Sequence, residues 1–86
     1  MDRIQAMQMF MRVAEAGSFV RAAETLSLPA STVTSTIKNL EKYLKVRLLN
    51  RTTRRVSLTP EGMQYLAQCR EILALIEHSE STLSES

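Results

Sequence analysis

Apolar residues recur at three- and four-residue steps through most of the chain, and each break in that rhythm falls at a residue that turns the backbone. From Asp2 to Ala16, Ile4, Met7, Met11 and Ala14 form one stripe, widened by Phe10 and Val13, which predicts an amphipathic helix. Asp2 suits the positive end of that helix's dipole. Gly17 ends the helix and Ser18 caps the next, so the two join tightly. The second helix is expected from Phe19 to about Leu26, with Arg21 and Glu24 outward and Phe19, Ala22, Ala23 and Leu26 inward. Ser27-Leu28-Pro29 then breaks the pattern, because proline disfavours a helical residue before it and suits the first turn of a new helix. A third helix is expected over residues 28–43, with Val33, Ile37, Leu40 and Leu44 on its apolar stripe. Two short helices, a tight turn and a striped third helix make a helix-turn-helix.

Beyond Leu44 the period falls to two. Leu48-Leu49-Asn50-Arg51 and Val56-Ser57-Leu58 read as short strands around a polar tip. A hairpin this short does not hold alone, so it is expected to pack beside the helices as a wing. Thr59-Pro60-Glu61 restarts a helix with a capping hydroxyl, a first-turn proline and an acid near the dipole's positive end. That helix is expected from Pro60 to about Leu83, roughly 36 Å at 1.5 Å per residue. It carries two apolar stripes. Tyr65, Ile72 and Leu75 are expected to cover the helix-turn-helix. Leu66, Cys69, Leu73, Ile76 and Leu83, interrupted at Glu80, resemble a coiled-coil seam for a second copy of the chain. The expected fold is therefore mainly α: a winged helix-turn-helix over residues 1–59 (three helices and a two-stranded wing), then a long linker helix for dimerisation over 60–86. The polar end from Ser79 to Ser86 is expected to fray.

With 86 residues, 44% of them hydrophobic and 23% charged, the chain is one small folded domain. No apolar run approaches the roughly 18 residues of a membrane span, so no membrane partner is expected. The start, Met1-Asp2-Arg3, lacks the layout of a secretion signal, and the one cysteine cannot form an internal disulfide, which together point to the cytoplasm. Enzyme chemistry has little to work with. The single histidine, His78, lies near the frayed end, two glycines make no phosphate loop, and no cluster has metal-ligand spacing. No cofactor or metal is expected.

Charge changes the picture more. The net charge is only +2, yet Lys38 to Arg55 holds seven cations and one acid, Glu41, whereas Glu61 to Ser86 holds five acids and one cation, Arg70. A solvated helix would intersperse the signs; this polarity points one end at a polyanion. The outer face of the third helix carries Ser31, Thr34, Ser35, Lys38 and Lys42, and five of the six residues from Ser31 to Thr36 bear hydroxyls. Capping accounts for one or two hydroxyls, and the rest suit phosphates and base edges. Arginines at the wing tip, Arg51, Arg54 and Arg55, suit the narrow, electronegative minor groove. A helix-turn-helix kept only for protein–protein contact is the alternative, but it has no need of a segregated positive face.

These features together closely resemble the amino-terminal DNA-binding domain of LysR-type transcriptional regulators. The residues that carry the likeness run from Phe10 to about Ile76: Phe10, Val13, Gly17-Ser18-Phe19, Ala22-Ala23, Leu26, Val33-Thr34, Ile37, Leu40-Glu41, Leu44, Val46, Leu48-Leu49, Arg51-Thr52, Arg54, Val56, Leu58-Thr59 and Glu61-Gly62. The resemblance implies a homodimer joined through the linker helix and binding to an interrupted palindrome in promoter DNA. It also implies a carboxy-terminal domain, absent here, that takes a small-molecule effector. By position it assigns DNA contact to Ala30, Ser31, Thr34 and Ser35, and wing roles to Arg51 and Arg54; Thr36, Lys38, Thr52 and Arg55 complete the expected surface. The chain also departs from the family pattern. Ala30 stands where many relatives have glutamine or another long polar residue, and Ser35 where they have arginine, so the usual bidentate guanine contact is missing. Lys45 replaces a common glycine at the end of the third helix.

Overall fold

The computed structural model describes residues 1–51 and 55–84. Asp2 opens α1 (Arg3–Ala16), its carboxylate accepting from the Gln5 N–H at 3.1 Å. Gly17 closes α1 in the left-handed region, φ 67°, and its N–H donates to the Val13 carbonyl at 2.8 Å. Ser18 then caps α2 (Phe19–Leu26) by accepting from the Arg21 N–H at 3.2 Å. The α2–α3 turn is made without glycine. Ser27 adopts φ 57°, and the Leu28 N–H reaches back to the Ala23 carbonyl at 3.0 Å. Pro29 is the cap residue of α3 (Ala30–Leu44) and lends it no side-chain bond. Its carbonyl accepts from the Thr32 and Val33 N–H groups, which sets the start of α3 two residues after position 28.

The wing consists of β1 (Leu49–Arg51) and β2 (Val56–Leu58), antiparallel, with Leu49 opposite Leu58 and Arg51 opposite Val56. Thr59 joins it to α4 (Pro60–Ser84): its hydroxyl donates to the Arg47 carbonyl at 2.6 Å and accepts from the Gly62 N–H at 2.9 Å. One side chain thus caps α4 and ties it to the segment that leads into β1. Four helices and a two-stranded sheet give the winged helix-turn-helix expected from the sequence.

Two stripes sit differently from their expected positions. In α1 the buried face centres on Ala6, Phe10 and Val13, while Ile4 is exposed and Met11 and Ala14 are half-buried. In α4 the two faces exchange roles. Leu66 (8% exposed) and Cys69 (0%) lie in the chain's own core and Leu73 packs against it, so Leu66 and Cys69 cannot form a seam with another molecule. Ile72 (43%) and Leu75 (68%), expected to cover the body, face outward; Tyr65 does pack inward, its ring 5.6 Å from that of Phe10. The physical reason is Gly62. A Cβ there would overlap the Leu48 carbonyl oxygen, so the backbone of α4 lies directly on the strand segment. That contact fixes the rotation of the helix, and Leu66, Cys69 and Leu73 follow Gly62 at four-, seven- and eleven-residue steps. The first turns of α4 therefore belong to the body, and no packing boundary falls at residue 59. Farther on, α4 runs past the body, which gives the molecule its longest dimension of 49 Å.

Burial pushes the Tyr65 hydroxyl up to about 12, with the neighbouring Cys69 adding to the effect. Burial likewise raises the Cys69 thiol, which stays protonated and acts as a small packing group.

Candidate nucleic-acid interface

The inner face of α3 is completely apolar where it meets the other helices: Val33, Ile37 and Leu40 are fully buried. Their burial forces Ser31, Ser35, Lys38 and Lys42, at helical spacing on the other side, into solvent. The five hydroxyls of this segment do not act alike. Thr34 Oγ1 donates to the Ala30 carbonyl at 3.0 Å and Thr36 Oγ1 to the Thr32 carbonyl at 2.9 Å. Those two protons are used within the helix, leaving only acceptor capacity outward. Ser31 and Ser35 make neither bond and remain exposed. Thr36 shares a flank with Thr32 and Tyr43, about a third of a turn from the serine–lysine face, where Tyr43 accepts from Arg3 Nη1 at 3.3 Å. Ala30 is half-buried at the start of the helix.

At the other end of α3 an open groove of about 460 Å³ is lined by Lys38, Lys42, Lys45, Val46, Arg47, Glu41 and Arg51. Lys45 enters it because it closes α3 with φ 62°, a conformation that favours glycine, and the chain then turns toward β1. The four side chains of Lys38, Lys42, Lys45 and Arg47 are exposed, and none pairs with an acid among the described residues. Glu41 is different. It is 8% exposed, one oxygen accepts from the Leu48 and Leu49 N–H groups at 2.8 and 3.2 Å, and the other pairs with Arg51 Nη2 at 3.0 Å. The single acid of the basic stretch is thus consumed inside the fold, and the surface above it is left cationic. Among the described residues no group of histidine, cysteine and acids could hold a metal ion, and no helix is long and apolar enough to cross a membrane.

Residues 4–63 match the profile of the bacterial regulatory helix-turn-helix protein, lysR family. The chain belongs to that family. An HTH-type transcriptional repressor of Pseudomonas aeruginosa is 49% identical over 83 residues, covering 96% of this chain but 26% of the relative's length. The chain thus spans about a quarter of the curated relatives it matches. Among solved structures, the DNA-binding domain of CbnR in complex with DNA superimposes with a TM-score of 0.92 at 33% identity, covering 95% of this chain and 94% of that one. The DNA-binding domain of BenM in complex with the catB site 1 DNA gives a TM-score of 0.92 at 29% identity, covering 95% and 91%.

Of the residues singled out from the sequence, this LysR-family domain brings Ser31, Ser35 and Lys38 onto one exposed face and places Thr34 at its half-buried edge. It moves Thr36 to the flank. Arg51 is drawn inward: besides its ion pair with Glu41, its guanidinium carbon lies 5.3 Å from the centre of the Phe19 ring, so the half-buried Phe19 both packs against the core and carries the guanidinium. Arg55 is exposed, and Thr52 and Arg54 lie outside the described residues. Sequence reasoning missed the task of Glu41 and the contribution of Arg47. A signal for the first was present: a lone acid among seven cations, four residues after Ile37 and beside Leu40, stands next to the buried stripe.

Proposed function

We propose that this LysR-family domain binds double-stranded promoter DNA, with α3 entering the major groove and its serine–lysine face turned to phosphates and base edges. The observation that carries this reading is the continuity of the cationic surface. Lys38 and Lys42 on α3 run without a break into Lys45 and Arg47, while Glu41, which lines the same groove, is buried and paired. Phosphate contacts of this kind fix register and supply most of the affinity. Ser31 and Ser35 donate at close range, whereas Thr34 offers an acceptor only. The wing tip, with Thr52, Arg54 and Arg55, is assigned to the adjacent minor groove on the family resemblance and the chemistry of arginine in narrow grooves. CbnR and BenM, whose DNA-binding domains were solved in complex with DNA and are similar along nearly the whole chain, support DNA binding by this fold.

The domain works as a homodimer on an interrupted palindrome in this reading, joined through α4. The seam is reassigned by the rotation of that helix: Ile72 and Leu75 lead it, with Ile76 and Leu83 continuing the line. Ile72 and Leu75, exposed side by side on α4, form an apolar patch that a second copy would cover. The test is fluorescence anisotropy on a labelled random-sequence duplex over a salt series. Binding should fall steeply, with a log–log slope of about −0.9 for each phosphate neutralised. Absence of binding at about 50 mM salt, or a flat titration, rejects the proposal.

A further inference from the structure

Three elements meet at one guanidinium. Arg51 ends β1, its Nη2 donates to Glu41 of α3 at 3.0 Å, and its Cζ lies over the Phe19 ring at the start of α2, 5.3 Å from the ring centre. Glu41 in turn holds the first residues of the wing through the Leu48 and Leu49 N–H groups at 2.8 and 3.2 Å. The wing has strands of three residues each, too short to fix its own orientation. One carboxylate therefore sets where β1 leaves α3, and one arginine ties that junction to α2.

Resting on the DNA-binding reading above, we propose that Glu41 and Arg51 are positioning residues that hold the wing at its working angle to α3, and that Arg51 delivers no charge to phosphate. The pair is neutral as a unit, and Arg51 spends its stacking face and a charged donor inside the fold. Phosphate contact passes to Lys38, Lys42, Lys45 and Arg47, whose side chains surround the same groove and pair with no acid among the described residues. The sign of one mutation separates positioning from field. Glu41→Gln removes a negative charge from beneath a surface that binds a polyanion. If Glu41 acted only through its field, DNA binding would tighten. As a positioning residue, its loss weakens binding, because the amide replaces one of the two accepting oxygens by a donor.

The experiment uses the 86-residue chain, a random-sequence duplex for the salt slope, and a duplex that the unaltered protein selects from a random pool for affinity. Glu41→Gln should bind the selected duplex about tenfold more weakly. Arg51→Gln should do the same with the salt slope on random duplex unchanged. Arg51→Lys, which keeps the charge but not the planar fork, should lose nearly as much as Arg51→Gln. The double variant should lose no more than either single one. Circular dichroism checks that each variant is folded, and if Glu41→Gln is not, the Arg51→Lys and Arg51→Gln comparison decides alone. Tighter binding by Glu41→Gln, full binding by Arg51→Lys, or a slope shallower by about 0.9 in Arg51→Gln overturns the proposal. Failure of the unaltered protein to bind any duplex rejects the DNA-binding reading instead.

Discussion

Gly62 shows how much a missing side chain can decide. An added Cβ would overlap the Leu48 carbonyl oxygen and press on Leu58 Cδ2 at 3.2 Å. Backbone cannot step aside as a flexible side chain can, so Gly62→Ala must lift α4 off the wing. We expect Gly62→Ala to lose about 2–3 kcal/mol in chemical denaturation, at the severe end of overpacking. A midpoint equal to that of the unaltered protein would show that the contact relaxes at no cost. The two glycines also mark what a sequence can reveal. Gly17 was legible because it interrupts a helical rhythm beside a capping serine, and its φ of 67° follows from that local role. Gly62 answers to a carbonyl fourteen residues earlier, which no local pattern encodes. Glu41 is a similar case: its charge was visible, but its three bonds depend on where β1 returns.

At the level of elements, order and boundaries were largely written in local signals. Caps at Asp2, Ser18 and Thr59 appear where hydroxyls and an acid precede apolar stripes, and strands appear where the period changes to two. Rotation was not legible for α4, because a helix apolar on two sides gives no reason to choose between them. The body chose Leu66, Cys69 and Leu73, leaving Ile72 and Leu75 outward. This reassignment makes a pair of variants informative. Leu75→Asp should leave the melting temperature within a few degrees of the unaltered protein yet yield a monomer in sedimentation, since the side chain is 68% exposed. Leu73→Asp should instead lower stability by about 2 kcal/mol or more, as a charge forced against the core. A dimer that survives Leu75→Asp would move the pairing surface off this stripe.

For the molecule as a whole, charge is unevenly divided. The cations of α3 and the turn after it gather on one side of the body, while the exposed acids of the second half of α4 are Glu71, Glu77 and Glu80, Glu77 lying beside Arg12 and Glu15 of α1. A polyanion is therefore attracted to the cationic side and repelled from the acids of α4, which orients the encounter. Lys42→Ala should make the salt slope on random duplex shallower by about 0.9, whereas Glu77→Gln should leave it unchanged. Equal effects of the two variants, read from parallel anisotropy titrations, would mean that net charge rather than its placement governs binding. The division within α3 has a wider consequence. The anchors of this helix are the buried Val33, Ile37, Leu40 and Glu41, with Ala30 and Leu44 packing beside them and Tyr43 bonded to Arg3, while Ser31 and Ser35 lie exposed on the opposite side. Substitutions at those two serines are thus close to free in thermodynamic terms, and a lineage can be retargeted through them one step at a time without ever passing through an unstable ancestor.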